Sequence, residues 1–295
     1  MKPYLADAAK TKEILERHGF FVKKGYGQNF LIDPRIPEGI VRAAGLTKAD
    51  TVFEIGPGIG TLTQYLAESA GRVIALELDR KLEPVLAETL SGRDNVTLIW
   101  GDVMKQDLPR LFAENGVDGP VKVVANLPYY ITTPILMRLF AFPDLFSDLT
   151  LMVQREVGER MAAPPGGKDY GALSVSVQYF SDPVLALSVP PSAFLPQPKV
   201  SSVVVTLSKR KEAPPDCADE EYFFSVVKAA FLQRRKTIVN ALSSAPQLGV
   251  TRETVTDALQ RMGLDPMIRG ERLSLDQFAA LSGLLREQRA DASSR

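Results

Sequence analysis

Cysteine and histidine are almost missing from this chain. Cys217 and His18 are the only residues of their kinds in 295. An internal disulfide and a His/Cys zinc site are therefore excluded, because each needs several such side chains together. No metal is expected, and catalysis has to rest on other groups. No run of about 18 apolar residues is present that could span a bilayer, and the opening MKPYLADAAKTKEILERHGF contains no apolar stretch of signal-peptide length. A cytoplasmic protein with no membrane partner is the expectation. Net charge is absent too, since 35 basic residues balance 35 acidic ones, so no global field draws the chain to nucleic acid. Only local clusters could do so: Lys23-Lys24, Lys209-Arg210-Lys211 and Arg234-Arg235-Lys236. Each of these, taken alone, reads as a solvated surface.

What is present is a repeating pattern. From residue 51 the short apolar runs TVFEI, RVIALEL, VTLIW, VKVVAN and LTLMV alternate with helix-like segments, as strands buried on both faces of a parallel sheet should. An α/β, Rossmann-like doubly wound sheet follows. Asp33-Pro34 reads as a helix start closed by Gly45, and Thr133-Pro134 repeats the device. Beyond residue 163 a loop enters a helix, and VLALSV and VSSVVVTL add two strands. We read a sheet domain over 1–208 with a helical arm at 1–50, a linker at 209–218 rich in charge and proline, and an all-helical domain over 219–295.

Three consecutive strand ends carry chemistry. EIGPGIGT follows the first strand and opens a helix for which Thr61 is the expected cap; glycines there let backbone approach a ligand closely while the helix N-terminus offers free N–H groups. The spacing is GxGxG rather than the GxGxxG of dinucleotide folds. Glu77 stands at the end of the second strand, where a carboxylate holds ribose hydroxyls, and Asp102, followed by Val103, ends the third, where a carboxylate accepts from an adenine amino group. The set suits S-adenosylmethionine, an adenosine without a pyrophosphate. An NAD enzyme fits less well, because no His or Tyr-Lys pair is evident for hydride chemistry.

Asn126-Leu127-Pro128-Tyr129-Tyr130 ends the fourth strand, facing the same crevice. A packed core would not select it, because Asn is costly to bury unpaired and Pro removes a donor. An exocyclic adenine amine is a poor nucleophile, its lone pair being delocalised into the ring. Two acceptors against its hydrogens, the Asn126 side-chain carbonyl and the Leu127 backbone carbonyl, would localise that pair. Pro128 biases Leu127 away from helical geometry and leaves its carbonyl unspent, and Tyr129 offers a flat face to a base taken out of its stack. With no cysteine at this strand end, methylation of a pyrimidine carbon through a thiolate adduct is not expected.

GYGQNFL at 25–31, EIGPGIGTLT at 54–63, LELD at 76–79, GDV at 101–103, NLPYYITTPIL at 126–136, KDYGALSV at 168–175, FLPQPKVSS at 194–202 and FLQRRKTIVNAL at 231–242 together resemble the KsgA (RsmA) family of small-subunit ribosomal RNA adenine-N6,N6-dimethyltransferases, over nearly the whole chain. The resemblance implies a class I methyltransferase sheet and S-adenosylmethionine held by Asn29, Leu31, Gly56, Gly58, Glu77, Asp102, Val103 and Asn126. It implies catalysis by Asn126, Leu127, Pro128 and Tyr129, with Phe194 as the second ring around the target adenine. It also implies 16S ribosomal RNA in an immature small subunit as partner, contacted by Lys23, Lys24, Arg234, Arg235 and Lys236, and a monomer. The chain departs from the family at Ala172, where relatives usually carry a basic residue. The related 23S dimethyltransferases of macrolide resistance share QNFL and NLPY, and a non-catalytic RNA-binding assembly factor could keep the fold.

Overall fold

The computed structural model describes residues 4–20, 28–210, 217 and 219–293, with the side chains of 289–293 left aside. The chain forms two compact units, one of residues 1–158 with 183–209 and one of residues 159–182 with 210–295.

The first unit begins with α1 (Ala8–Arg17), capped by Asp7, whose carboxylate accepts from Lys10 N at 2.9 Å. The short β1 (Phe30–Leu31) and α2 (Arg35–Ala43) follow. The sheet then builds from β2 (Thr51–Ile55), α3 (Thr61–Ser69), β3 (Arg72–Glu77), α4 (Glu83–Thr89), β4 (Val96–Trp100), α5 (Leu108–Glu114), β5 (Val121–Asn126), α6 (Thr132–Phe140) and β6 (Phe146–Gln154). Each of the five strands expected from residue 51 is present. After α7 (Arg155–Met161) and α8 (Ala172–Phe180), the chain adds β7 (Ser181–Val189), the short β8 (Phe194–Leu195) and β9 (Ser202–Lys209).

The main sheet has the order β4-β3-β2-β5-β6-β9-β7. Its first five strands are parallel, and β9 lies antiparallel to β6. The chain walks outward from β2 to β4 and then returns to place β5 on the other side of β2. That reversal opens a crevice at the carboxyl ends of the strands, where α/β sheets hold their ligands. Register puts the ends of β2, β3, β4 and β5 along this one edge, with Ile55 opposite Leu76, Glu77 opposite Trp100 and Asn126 opposite Met152. A second, two-stranded sheet pairs Phe30 with Leu195 and Leu31 with Phe194.

Residues 5–18, for which the sequence offers no motif, pack on the sheet unit. Leu5, Ile14 and Leu15 share a core with Ile59, Leu82, Val85 and Leu86, Leu5 N donates to Gln64 Oε1 at 3.1 Å, and His18 Nε2 lies 2.7 Å from Glu88 Oε2. The amino-terminal helix therefore backs the same elements that carry the glycine turn.

The second unit contains α9 (Glu220–Leu232), α10 (Ile238–Ser243), α11 (Arg252–Arg261) and α12 (Leu275–Ser293). Its core includes Phe223, Val226, Ile238, Leu242, Val255, Leu259, Phe278 and Leu285, and also Tyr170, Val175 and Tyr179. The 159–182 segment, read from sequence as part of the sheet domain, belongs to this helical unit. Its apolar residues are spent there: Tyr170 meets Phe231 edge-on at 6.0 Å and Tyr179 lies 4.9 Å from Phe223. Among the described residues no helix is long and apolar enough to cross a membrane.

Candidate active site

The glycine turn closes differently from its sequence reading. α3 begins at Thr61, and its N-cap is Gly60 in left-handed geometry at φ 86, with no side-chain cap. Thr61 is instead the first helical residue, its hydroxyl buried with no hydrogen-bond partner among the described residues. Gly58 sits at φ 60, and a Cβ there would stand 3.3 Å from the Phe30 ring. The helix starts are shifted too, by one residue at α2 and two at α6. α2 starts at Arg35 with Asp33 Oδ1 accepting its N–H at 3.0 Å, and α6 starts at Thr132, before Pro134.

Glu77 braces this turn. It is buried, and its carboxylate accepts from Gly58 N at 3.0 Å and from Asp79 N at 2.8 Å. Burial pushes its carboxyl above the usual range, the backbone donors Asp79, Gly58 and Leu78 act the other way, and Asp79 adds to the rise. Asp102 accepts from Met104 N at 2.9 Å, which fixes the turn after β4, and Val103 is buried.

Glu54, quoted within a motif but given no role by sequence reasoning, is the most constrained acid in the site. It is 1% exposed on the central strand β2, and its Oε2 has no hydrogen-bond partner among the described residues. Burial lifts its carboxyl to about 8, with the Thr63 hydroxyl opposing and Glu77 adding to the rise.

At the end of β5, Leu127 N donates to Met152 O at 3.1 Å, extending the strand by one residue. The Asn126 amide Nδ2 donates to Asn29 O at 3.3 Å, which leaves Oδ1 as its acceptor. No donor among the described residues reaches the Leu127 carbonyl. Pro128 starts a turn in which its carbonyl accepts from Ile131 N and from Thr132 Oγ1, each at 3.2 Å. Tyr129 is half-buried, its hydroxyl 2.6 Å from the buried Ser202 Oγ, and burial raises its phenol above the usual range against that bond.

These groups line one cleft. Asn29, Leu31, Glu54, Gly56, Gly58, Glu77, Asp102, Val103, Asn126, Leu127, Pro128, Tyr129 and Tyr130 all border it. Its open volume, mouth included, is about 1110 Å³, the scale of clefts that hold drug-sized ligands. Phe194 does not join them: it is 2% exposed, paired with Leu31 across the two-stranded sheet and packed in the core with Leu62, Leu66 and Val204. The FL pairing of 30–31 with 194–195 uses its ring to seat β1. Sequence reasoning also missed Ser202, whose signal is its place in the FLPQPKVSS motif.

The basic clusters divide. Lys23 and Lys24 lie outside the described residues. Arg234 is committed within the helical unit: its guanidinium donates to Lys168 O, to Tyr170 O at 2.9 Å and to Glu271 Oε2 at 3.2 Å. Arg235 and Lys236 are exposed. Arg234→Ala is therefore expected to destabilise the protein by about 1–2 kcal/mol, the scale of charged hydrogen bonds lost from a part-exposed site, read as a lower melting temperature.

The family model for ribosomal RNA adenine dimethylase matches residues 19–282. A ribosomal RNA small subunit methyltransferase A of Lachnoclostridium phytofermentans is 47% identical over 286 residues, 97% of this chain and 99% of that protein. One from Moorella thermoacetica is 50% identical over 288 residues, 95% of this chain and 98% of its own. Among solved structures, a dimethyladenosine transferase from Plasmodium falciparum superposes with a TM-score of 0.73 at 26% identity, over 85% of this chain and 95% of that one. The 23S rRNA methyltransferase ErmE does so at 0.67 and 26% identity, over 88% and 100%.

Proposed function

This chain belongs to the ribosomal RNA adenine dimethylase family, and from that premise we propose that it dimethylates N6 of two adjacent adenosines near the 3′ end of 16S ribosomal RNA, within an immature small subunit and at the expense of S-adenosylmethionine. The observation that carries the reading is the convergence of the glycine turn, Glu77, Asp102 and Asn126–Tyr129 on one cleft. The donor set fits the cofactor. Glu77 and Asp102 are acceptors for the hydroxyl and amino groups of an adenosine, and Gly58, at φ 60 with the Phe30 ring 3.3 Å from where a Cβ would stand, keeps the turn's backbone at the cleft. Asn29, Leu31, Gly56, Val103 and Asn126 complete the wall.

S-adenosylmethionine supplies an electrophilic methyl group. Against it, Asn126 Oδ1 and the Leu127 carbonyl accept from the two hydrogens of the adenine amine and draw its lone pair out of the ring. The bond to Asn29 holds the Asn126 amide in the orientation that makes this possible. Pro128 keeps Leu127 out of helical geometry, and Tyr129, fixed by Ser202, supports the extracted base by stacking. A small-subunit rather than a 23S target is favoured by the length and identity of the small-subunit relatives. The helical unit carries the RNA-facing surface through Arg235 and Lys236, with Arg234 shaping it from within; Lys23 and Lys24 are assigned to the same role.

Mapping N6-dimethyladenosine in ribosomal RNA from cells lacking the gene, with and without complementation, tests the reading. The mark should vanish from adjacent 16S adenosines and return with the gene; an unchanged 16S pattern would refute it. Two further outcomes are expected. Glu77→Ala should weaken S-adenosylmethionine binding by about 1–3 kcal/mol, the usual scale for a lost charged hydrogen-bond partner. Calorimetric titration checks this, and unchanged affinity would place the ribose elsewhere. Replacing Arg235 and Lys236 by Ala should lower the slope of log affinity for small-subunit particles against log salt by about 1–2, one counterion for each phosphate contact. Identical slopes would return this cluster to the solvated surface.

A further inference from the structure

The first tyrosine of NLPYY is spent; the second is not. Tyr129 is half-buried and tied through its hydroxyl to Ser202. Tyr130 borders the same cleft and is 59% exposed, and no hydrogen bond or ring contact engages it among the described residues. Its backbone is nonetheless held. The Pro128 carbonyl takes both Ile131 N and Thr132 Oγ1, α6 begins two residues later, and Ile135 and Leu136 anchor that helix in the core. A rigid turn thus presents an exposed aromatic ring at the rim of a cleft that also carries a base-sized flat face one residue earlier.

An aromatic side chain at such a place gains little from the fold, since more than half of its surface stays in water. It gains on meeting a nucleobase. Drawing one base out of a strand strips its neighbours of a stacking partner, and single-stranded RNA is held on aromatic platforms for this reason. The Tyr130 ring, one residue from the Tyr129 face on the same cleft, is placed to replace the lost stack.

Resting on the methyl-transfer reading above, we propose that Tyr130 stacks the nucleobase adjoining the target adenosine, so that the site holds two successive nucleotides of a single strand and sets their register. For a substrate with two adjacent adenosines, the flanking base on Tyr130 is itself a target. A strand bound this way presents its second adenosine after a shift of one nucleotide.

The test uses the full-length protein and an RNA stem-loop bearing two adjacent adenosines, with 2-aminopurine in place of either one. Wild type should change the fluorescence of the flanking 2-aminopurine as it becomes stacked. Tyr130→Phe should keep that change and Tyr130→Ala should lose it, while S-adenosylmethionine affinity is the same in all three. Methyl transfer to small-subunit particles lacking the mark should fall about tenfold in kcat/KM for Tyr130→Ala, the scale of one lost base stack, and stay near wild type for Tyr130→Phe. A flanking signal that is absent in wild type, or that survives in Tyr130→Ala, overturns the stacking role. The fluorescence arm needs no catalysis: a wild type that stacks the flanking base but transfers no methyl group would refute the proposed function and leave the stacking role standing.

Discussion

Asn126→Ala should leave the protein folded and able to bind S-adenosylmethionine within about tenfold, while turnover on small-subunit particles falls a hundredfold or more, the usual cost of removing one positioned electrostatic group at a reacting centre. The asymmetry follows from geometry. Asn126 spends its amide N–H on Asn29, so the substitution removes one tether of β1 and one acceptor. The tether is backed by the pairing of Phe30 and Leu31 with Leu195 and Phe194, whereas the acceptor has only the Leu127 carbonyl beside it. Single-turnover kinetics with saturating cofactor would isolate the step. A variant that kept near-native rates would refute the two-acceptor account and leave Asn126 as a bracket for Asn29.

Glu54→Gln should make the ligand-free protein more stable at pH 8 by a few kcal/mol, with a gain that shrinks towards pH 5. The sign follows from burial. The ordinary carboxyl value is 4.5 and the folded one is raised to about 8, so between those values the folded state holds a proton that the unfolded chain has released. Stability from this group is fully present below 4.5 and is lost as pH rises through 8, at up to about 1.4 kcal/mol per pH unit. Other carboxylates titrate as well, so the difference between variant and wild type is the quantity to follow in denaturant melts. A difference that stays flat from pH 5 to 8 would mean that Glu54 is ionised in the fold.

Much of the sheet was legible because a strand buried on both faces has to be apolar almost throughout, and TVFEI, RVIALE and VKVVAN leave little choice. The site was legible for a related reason: the polar residues that interrupt those runs, Glu77 and Asn126, stand where a core would not tolerate them. Asp102, just past the end of β4, extends the same edge. What stayed hidden depends on partners far along the chain. Arg234 looks like any basic residue in QRRKT until the carbonyls of Lys168 and Tyr170 are found beneath it. Phe194 looks like a stacking ring until its strand is seen paired to Leu31. The helix at 172–180 shows its apolar face in the sequence, but not which core that face will enter. Glu54 gives no local sign that it lies on the central strand, with β3 on one side and β5 on the other.

The chain passes from one unit to the other at 158/159, returns at 182/183 and leaves again at 209/210. During synthesis, residues 159–182 therefore emerge well before α9–α12, whose side chains complete their core. Until then Tyr170, Val175 and Tyr179 lack the α9–α12 side chains that complete their core, while β7 and β9 arrive in time to finish the sheet. The sheet unit can close first and the helical unit last, the usual order in which domains made by a ribosome settle. A fragment ended at residue 209 would keep this half-built state permanently, carrying an apolar helix face that invites aggregation. A sheet fragment free of that apolar face calls for removing 159–182 as well.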